Sequence, residues 1–246
     1  MDAVSYATAE VAVRDDLKEA HRDILEHVRS PGCWWTGAQR IAMAAEARHA
    51  LGCRLCADRK AALSPASVRG AHDPLGGLPA NVVEVVHRVR TDPARLSRSW
   101  FDGVIAGGLS DGEYVEIIGV VALMSGVDSF ARALGVEPLP LPEPLPGTPT
   151  RHRPASATPG IAWVPMIAPE DASGPEANLY GNLVLVPNIM RALSLVPDEA
   201  RALRHSSNAH YVPAESIGDP TARRSLDRMQ IELVAARVSA LNQCFY

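Results

Sequence analysis

The chain has 246 residues, of which 47% are hydrophobic and 21% charged, so it can bury a core and is not a disordered tail. Its 24 basic and 28 acidic residues give a net charge of -4, which argues against a nucleic-acid binder because phosphate binding needs a concentrated basic surface. Four cysteines are too few for a disulfide scaffold. No apolar run approaches the roughly 20 residues that span a bilayer, and no secretory signal opens the chain, so we expect a cytoplasmic protein without a membrane partner.

Helical periodicity dominates the first half of the chain. Apolar residues recur at helical spacing over residues 9–29, and Ser30-Pro31-Gly32 ends that segment. Ser110 and Glu113 have the spacing of a capping box at the start of a long apolar helix. Further helices are predicted over residues 37–51, 56–63, 79–90, 92–106 and 110–134.

A proline-rich segment divides the chain into two halves. Residues 137–160 hold eight of the 20 prolines and are expected to form an extended linker, or a strap lying over a surface. A short extended piece is predicted at residues 161–167. Helices are predicted near residues 170–184, 187–195, 197–209 and about 225–244. The pattern therefore predicts an all-α protein with one helical half over residues 1–136 and a second over residues 161–246.

Cys53 and Cys56 form a Cys-x-x-Cys pair close to the start of a predicted helix. A cysteine there is favoured as the thiolate by the helix dipole, and the nearby cations Arg54, Arg59 and Lys60 act in the same direction. Because the second cysteine is close enough to form a disulfide, oxidation can be reversed by thiol exchange. The pattern therefore predicts a redox-active pair.

Other interpretations of the pair stay open. Both cysteines could simply be small apolar residues in a helical core. A zinc site completed by Cys33 or His49 is a further alternative, but no second Cys-x-x-Cys and no His-x-x-x-His supports it, so no metal is expected. A thioredoxin-like site would need a βαβ context that the sequence does not show.

Residues upstream of the pair extend the hypothesis. Glu46, His49, Cys53, Cys56 and Lys60 follow one another at intervals of 3, 4, 3 and 4 residues. On a continuous helix they would share one face, where a carboxylate and an imidazole could relay a proton to a thiol. The alternative is that Glu46 and His49 are ordinary solvated or capping side chains.

Other titratable residues carry weaker signals. Glu232 precedes Cys244 by twelve residues on an Ala/Val-rich helix, a position at which a glutamate is usually solvated. Glu84 and His87 are three residues apart, as in a surface pair on a helix, and His72 has no spacing that favours a site.

The last segment of the chain, IELVAARVSALNQCFY (residues 231–246), resembles the alkylhydroperoxidase D-like, or carboxymuconolactone decarboxylase-like, superfamily. Redox members of that superfamily carry Glu, eleven residues, Cys, two residues, Cys, three residues and His. Glu232 and Cys244 match the Glu and the first Cys of this pattern. Similar segments are found at residues 40–63, 101–135 and 186–201.

The resemblance implies an alkylhydroperoxidase D-like helical bundle of two related halves that assembles as a homo-oligomer. In peroxidase members the second cysteine attacks the peroxide and the first resolves it, with a Glu and a His relaying the proton. By resemblance Cys56 would be the peroxidatic residue and Cys53 the resolving one, with no metal, haem, flavin or other cofactor.

This sequence departs from the family pattern in both halves. In the first half, Ile41 and Lys60 stand at the Glu and His positions, so Glu46 and His49 are the expected substitutes and Lys60 is expected to stabilise the thiolate. In the second half, the family pattern would place the second Cys and the His after Tyr246, which is the last residue of the sequence. We therefore expect a second half that is incomplete at its C-terminus or carries a degenerate site.

The leading hypothesis is a thiol-dependent peroxidase that reduces a hydroperoxide and is itself re-reduced by an external dithiol. One alternative is a non-catalytic helical scaffold, or a redox sensor, with a degenerate site. A carboxymuconolactone decarboxylase-like enzyme is a third hypothesis with less support, because that branch does not need the Cys-x-x-Cys.

Overall fold

The computed structural model describes residues 4–181, 183, 186–242 and 244, and within them the protein is mostly helical. The α-helices are α1 (Asp15–Arg29), α2 (Gly37–His49), α3 (Arg54–Ala61), α4 (Ala80–Thr91), α5 (Arg98–Ala106), α6 (Asp111–Ala133), α7 (Asn188–Arg191), α8 (Pro197–His210) and α9 (Arg228–Leu241). Two short strands, β1 (Ala157–Thr158) and β2 (Met166–Ile167), pair antiparallel with Ala157 opposite Ile167. The expected all-α class is confirmed at this level.

Helix α6 is the centre of the core. The predicted capping box is present, since the Ser110 hydroxyl accepts from the Glu113 amide and the Glu113 carboxylate accepts from the Ser110 amide. Helices α1, α2, α4 and α8 all pack against α6, which is why its apolar residues are buried on several sides. By length and composition α6 could also cross a membrane, although 67% of its most apolar stretch is buried inside the protein. The sequence patterns predict this helix over residues 110–134, but not that it meets the length and composition of a membrane-spanning helix.

A buried ion network joins four of these helices. The Arg40 guanidinium on α2 lies 2.5 Å from a Glu116 oxygen on α6 and 2.7 Å from a Glu199 oxygen on α8. His27 on α1 lies 2.9 Å from the same Glu199 oxygen. The side chain of Arg40 has no solvent exposure, so the network fixes how α1, α2, α6 and α8 meet.

The proline-rich segment is a strap. Residues 137–154 form no helix or strand and lead through a turn at residues 155–156 into β1, and Leu139 is buried in the main core. The backbone amides of Leu145 and Arg151 donate to the carbonyls of Arg29 and Cys33, both at 2.8 Å. Because the segment is hydrogen-bonded to the α1–α2 connection, the strap interpretation describes it better than a free linker.

Both halves of the chain contribute to one apolar core. Leu195 and Val196 are as fully buried as the apolar residues of α6 and belong to the same cluster. The division into domains of residues 1–136 and 161–246 stays a prediction.

Several predicted elements of the second half are shorter than expected. The helix predicted near residues 170–184 is wrong over its described residues, which form only the 3₁₀ turns Pro169–Asp171 and Gly174–Glu176. Pro175 lacks an amide hydrogen and so does not continue a helix. The segment near residues 187–195 reduces to the four residues of α7. Helix α8 matches the helix predicted over residues 197–209 to within one residue, and α9 lies within the helix predicted over about 225–244.

Candidate functional site

The cysteine pair lies where the backbone changes from one helix to the next. After α2 the chain makes the 3₁₀ turn Ala50–Gly52, and Cys53 is extended at the N-cap of α3. Cys56 follows in the first turn of α3, where free backbone amides and the helix dipole favour negative charge. Both cysteines are free, and their exposed fractions are only 4% and 3%.

Cys56, His87 and Glu46 form a hydrogen-bonded line. The Cys56 Sγ lies 3.3 Å from His87 Nδ1, and His87 Nε2 lies 2.7 Å from a Glu46 oxygen. The second Glu46 oxygen accepts from the Leu75 amide at 3.0 Å. His87 and Glu46 are completely buried. Because the His87 Nε2–H donates its hydrogen bond to the Glu46 carboxylate, the unprotonated Nδ1 faces the Cys56 thiol and can act as a base.

A second line of the same type reaches both thiols through His72, whose ring centre lies 4.2 Å from that of His87. His72 Nδ1 lies 3.5 Å from Cys53 Sγ and 3.6 Å from Cys56 Sγ. His72 Nε2 lies 2.8 Å from a Glu84 oxygen, and Arg59 forms an ion pair with the same carboxylate at 3.0 Å. His72 therefore contacts both sulfurs and His87 contacts the Cys56 sulfur. Each histidine is hydrogen-bonded to its own carboxylate.

These contacts alter the charges of the cluster. Burial alone would raise the pKa of the Cys56 thiol, but its hydrogen bonds with His72 and His87 outweigh burial and lower that pKa to about 6. The pKa of Cys53 is lowered against burial by its hydrogen bond with His72. Burial disfavours the charged form of His72, yet hydrogen bonds with Cys56, Glu84 and Cys53 raise its pKa to about 10. A thiolate paired with an imidazolium is therefore the favoured state near neutral pH.

A cleft borders the cysteine pair. It has a volume of about 700 Å³ and includes both cysteines among its lining residues. Lys60, Arg90 and Arg132 give the cleft a positive lining, and Leu241 of α9 contributes an apolar part. The two cysteines, although almost buried, therefore lie at the wall of a cleft large enough for a small molecule.

The structure brings together only some of the residues proposed from the sequence. Cys53, Cys56 and Glu46 belong to one cluster, as expected. The prediction that they share one helical face with His49 and Lys60 is wrong, because the backbone leaves the helix between α2 and α3.

His49 and Lys60 therefore have other surroundings. His49 Nε2 lies 2.7 Å from the carbonyl of Asp73, and its ring centre is 6.5 Å from that of His87. Lys60 is exposed and lines the cleft rather than pairing with a thiol. In this geometry His87, and not His49, lies between Glu46 and Cys56.

The remaining candidates lie outside the cluster. Glu232 on α9 is exposed, forms an ion pair with Arg228 at 2.7 Å and accepts a hydrogen bond from Tyr211. Cys244 is exposed, and in the described part of the chain neither residue bonds to the cluster. Cys33 is buried in the main core, and burial raises its pKa to about 11. Of the resembling terminal segment, residues 243, 245 and 246 lie outside the described part.

His72, His87 and Glu84 belong to the cluster although the sequence patterns did not predict them as site residues. A partial signal existed for His87, because α4 carries valines on several sides around it and a histidine in such a run is buried. Glu84 is one turn earlier on the same helix. His72 lies in the irregular connection between α3 and α4, where no spacing rule applies.

In comparisons with known proteins, no family model, no curated protein and no solved structure matches this chain. What the cluster does is therefore inferred from its own geometry.

Proposed function

We propose that this protein is a thiol-dependent oxidoreductase that reduces hydroperoxides through Cys53 and Cys56. The observation that carries the proposal is the buried line from Glu46 through His87 to the Cys56 sulfur, with distances of 2.7 and 3.3 Å. A nucleophile in hydrogen-bond reach of a base that a third group orients is the general arrangement of nucleophilic catalysis. The resemblance to the alkylhydroperoxidase D-like superfamily assigns the same roles to the two cysteines.

In the first step the Cys56 thiolate attacks one peroxide oxygen and the O–O bond breaks. Cys56 becomes a sulfenic acid and the other oxygen leaves as an alcohol. The proton that the thiol lost reaches the leaving alkoxide through His87 Nδ1, while Glu46 holds the imidazole in place. This step consumes one hydroperoxide and releases one alcohol.

In the second step the Cys53 sulfur attacks the oxidised Cys56 sulfur. A disulfide forms, and the sulfenic oxygen leaves as water with the proton from Cys53. His72, which contacts both sulfurs and is held by Glu84, is placed to move that proton. An external dithiol then reduces the disulfide by thiol exchange and returns both thiols.

The proposal is tested by the rate at which the reduced chain consumes an organic hydroperoxide with a small dithiol as reductant and a chelator present. Cys56→Ser is expected to abolish consumption. Glu46→Gln keeps the shape but removes the carboxylate charge, and it is expected to slow the reaction by roughly 100-fold, the range of general-base removal. His49→Gln is the matched control, since His49 neighbours the cluster but does not contact a thiol.

A parent rate equal to that of the Cys53→Ser/Cys56→Ser double variant would contradict the proposal and favour the non-catalytic scaffold. Equal slowing by Glu46→Gln and His49→Gln would remove the specific role of Glu46. Circular dichroism of each variant checks that the helical fold is retained.

A further inference from the structure

The thiol cluster has the geometry of a four-coordinate metal site. Its four ligand atoms are Cys53 Sγ, Cys56 Sγ, His72 Nδ1 and His87 Nδ1, and all of them lie within 4.8 Å of one another. The sulfur–nitrogen distances given above are 3.3, 3.5 and 3.6 Å. A tetrahedral zinc ion, with bonds of about 2.3 Å to sulfur and about 2.0 Å to nitrogen, separates neighbouring sulfur and nitrogen ligands by about 3.5 Å. The ligand atoms therefore need little rearrangement to enclose an ion.

The surroundings of His72 and His87 also fit metal binding. Each turns Nδ1 toward the sulfurs and Nε2 toward a carboxylate, His87 to Glu46 and His72 to Glu84. Histidines that bind a metal through one ring nitrogen usually donate the other N–H to a carboxylate or carbonyl, which fixes the ring and strengthens the ligand. Two such carboxylate–histidine pairs that converge on two thiols are a stronger indication than the Cys-x-x-Cys alone.

The ligands come from separate parts of the backbone. Cys53 and Cys56 flank the start of α3, His87 lies on α4, and His72 lies in the connection between them. An ion held by all four would link the α3–α4 connection to both helices. The pairing of thiolates with imidazoles favours Zn²⁺ over the hard cations Mg²⁺ and Ca²⁺, which require oxygen ligands.

We propose that the reduced protein binds one Zn²⁺ ion through Cys53, Cys56, His72 and His87. Binding exchanges protons for the metal: both cysteines bind as thiolates, both histidines bind as neutral imidazoles, and no electron is transferred. Glu46 and Glu84 keep their hydrogen bonds to the histidines and act as positioning residues.

Metal binding has a consequence for peroxide reduction. An ion that holds both sulfurs leaves neither free to attack a peroxide, so the metal-bound and peroxide-reducing forms exclude each other. This consequence rests on the proposed function, whereas metal binding itself does not. We therefore expect Zn²⁺ to inhibit hydroperoxide consumption and a chelator to restore it.

The test uses Co²⁺, which replaces Zn²⁺ in such sites and gives an absorbance band from thiolate-to-metal charge transfer. The whole reduced chain, freed of metal and kept without oxygen, is titrated with Co²⁺. Saturation at one ion per chain and displacement by Zn²⁺ but not by Mg²⁺ are expected. Cys53→Ser and His72→Ala are expected to weaken or abolish the band, and Glu84→Gln to weaken Co²⁺ affinity by 10–100-fold.

His49→Ala and Cys244→Ser are the matched controls, because neither residue contributes a ligand atom, and both are expected to retain full binding. No saturable band in the folded chain, or an undiminished band in both Cys53→Ser and His72→Ala, would overturn the proposal. Circular dichroism identifies any variant that loses its fold. Where Cys53→Ser or His72→Ala does so, the conservative Glu84→Gln variant tests the site through its weaker Co²⁺ affinity. A chain that binds cobalt but does not reduce peroxide in the presence of chelator would support the metal site and contradict the proposed function. A chain that reduces peroxide but does not bind cobalt would support the proposed function and contradict the metal site.

Discussion

The two histidines of the cluster are held by carboxylates that have different surroundings. Glu46 is completely buried and its two oxygens accept from His87 and the Leu75 amide. Glu84 is partly exposed, and its pKa is lowered to about 2 because contacts with His72, Arg59 and Trp100 outweigh burial. A permanently ionised Glu84 stabilises positive charge on its histidine. The hydrogen bonds of His72 and His87 both favour the Cys56 thiolate, and in the proposed mechanism the Glu46–His87 pair is the oriented base.

Cys56 is expected to react as a thiolate at mildly acidic pH. Its pKa of about 6 lies well below the value of about 8.5 for a free cysteine, so alkylation of the reduced chain in chelator should reach half its maximal rate near pH 6. His72→Ala removes a hydrogen bond to the sulfur and should move this midpoint upward by at least one pH unit. Mass spectrometry of the Cys56 peptide across a pH series measures it.

His49→Ala is the control for the alkylation series and should leave the midpoint unchanged, since His49 bonds to a backbone carbonyl. A parent midpoint near pH 8.5 would contradict the expected thiolate. Cys33, whose pKa is raised to about 11 by burial, should remain unmodified throughout.

At the residue scale the sequence predicts half of the site. The cysteines and Glu46 could be found because thiols near a helix start and a carboxylate at helical spacing have local signatures. His72 and His87 reach the sulfurs from positions 16 and 31 residues beyond Cys56. Such contacts are made by helix packing and by an irregular connection, and no local periodicity encodes them.

At the scale of the helices, we expect a single substitution in the buried ion network around Arg40 to destabilise the fold strongly. Arg40 supplies the cation between Glu116 and Glu199, which are themselves buried. Burial raises the pKa of Glu116, whereas Arg40 and His27 lower that of Glu199 against a strong burial effect. Without the guanidinium, two carboxyl groups would share an apolar interior.

Arg40→Ala is therefore expected to lower the free energy of unfolding by about 3–5 kcal/mol, the range for removing one partner of a buried ion pair. Adding Glu116→Gln to this variant should recover part of the loss, because it removes one of the stranded charges. Arg98→Ala breaks the exposed pair with Asp102 and should cost less than about 1 kcal/mol. Denaturant unfolding of the four chains measures these differences, and equal losses for Arg40→Ala and Arg98→Ala would refute a structural role for the network.

For the whole molecule, sequence patterns predict the first half much better than the second. Helices α2, α4 and α6 follow the predicted segments closely, because each has a clear start or stop signal such as Pro79 or the Ser110 capping box. The described residues between positions 161 and 181 carry apolar side chains without α-helical periodicity, and their burial depends on packing against the first half. Leu179 and Ile167, for example, are buried although neither lies in a helix.

A chain of hydrogen bonds also ties the N-terminal segment to α1 and α8. The Tyr6 hydroxyl lies 2.5 Å from His21 Nδ1, and His21 Nε2 lies 2.8 Å from His210 Nε2. His210 Nδ1 in turn lies 2.8 Å from the Ser206 carbonyl. All these contacts are satisfied when Tyr6 donates to a neutral His21, which donates to His210, which donates to the carbonyl. A second proton on His21 would remove the acceptor that Tyr6 uses.

This arrangement predicts that the protein loses stability in mild acid. Burial, followed by the charge of His210, lowers the pKa of His21 to about 4, below its unfolded value of 6.5. Between these values the unfolded chain binds more protons than the folded one, so stability is fully present above pH 6.5 and falls as the pH drops toward 4. The loss attributable to His21 is up to about 3 kcal/mol. In denaturant unfolding at pH 7 and pH 4.5, His21→Gln should show a smaller difference than the parent chain. Replacing the exposed His205 by Gln should leave the parent difference unchanged, and an equal pH dependence in His21→Gln would exclude His21 as its source.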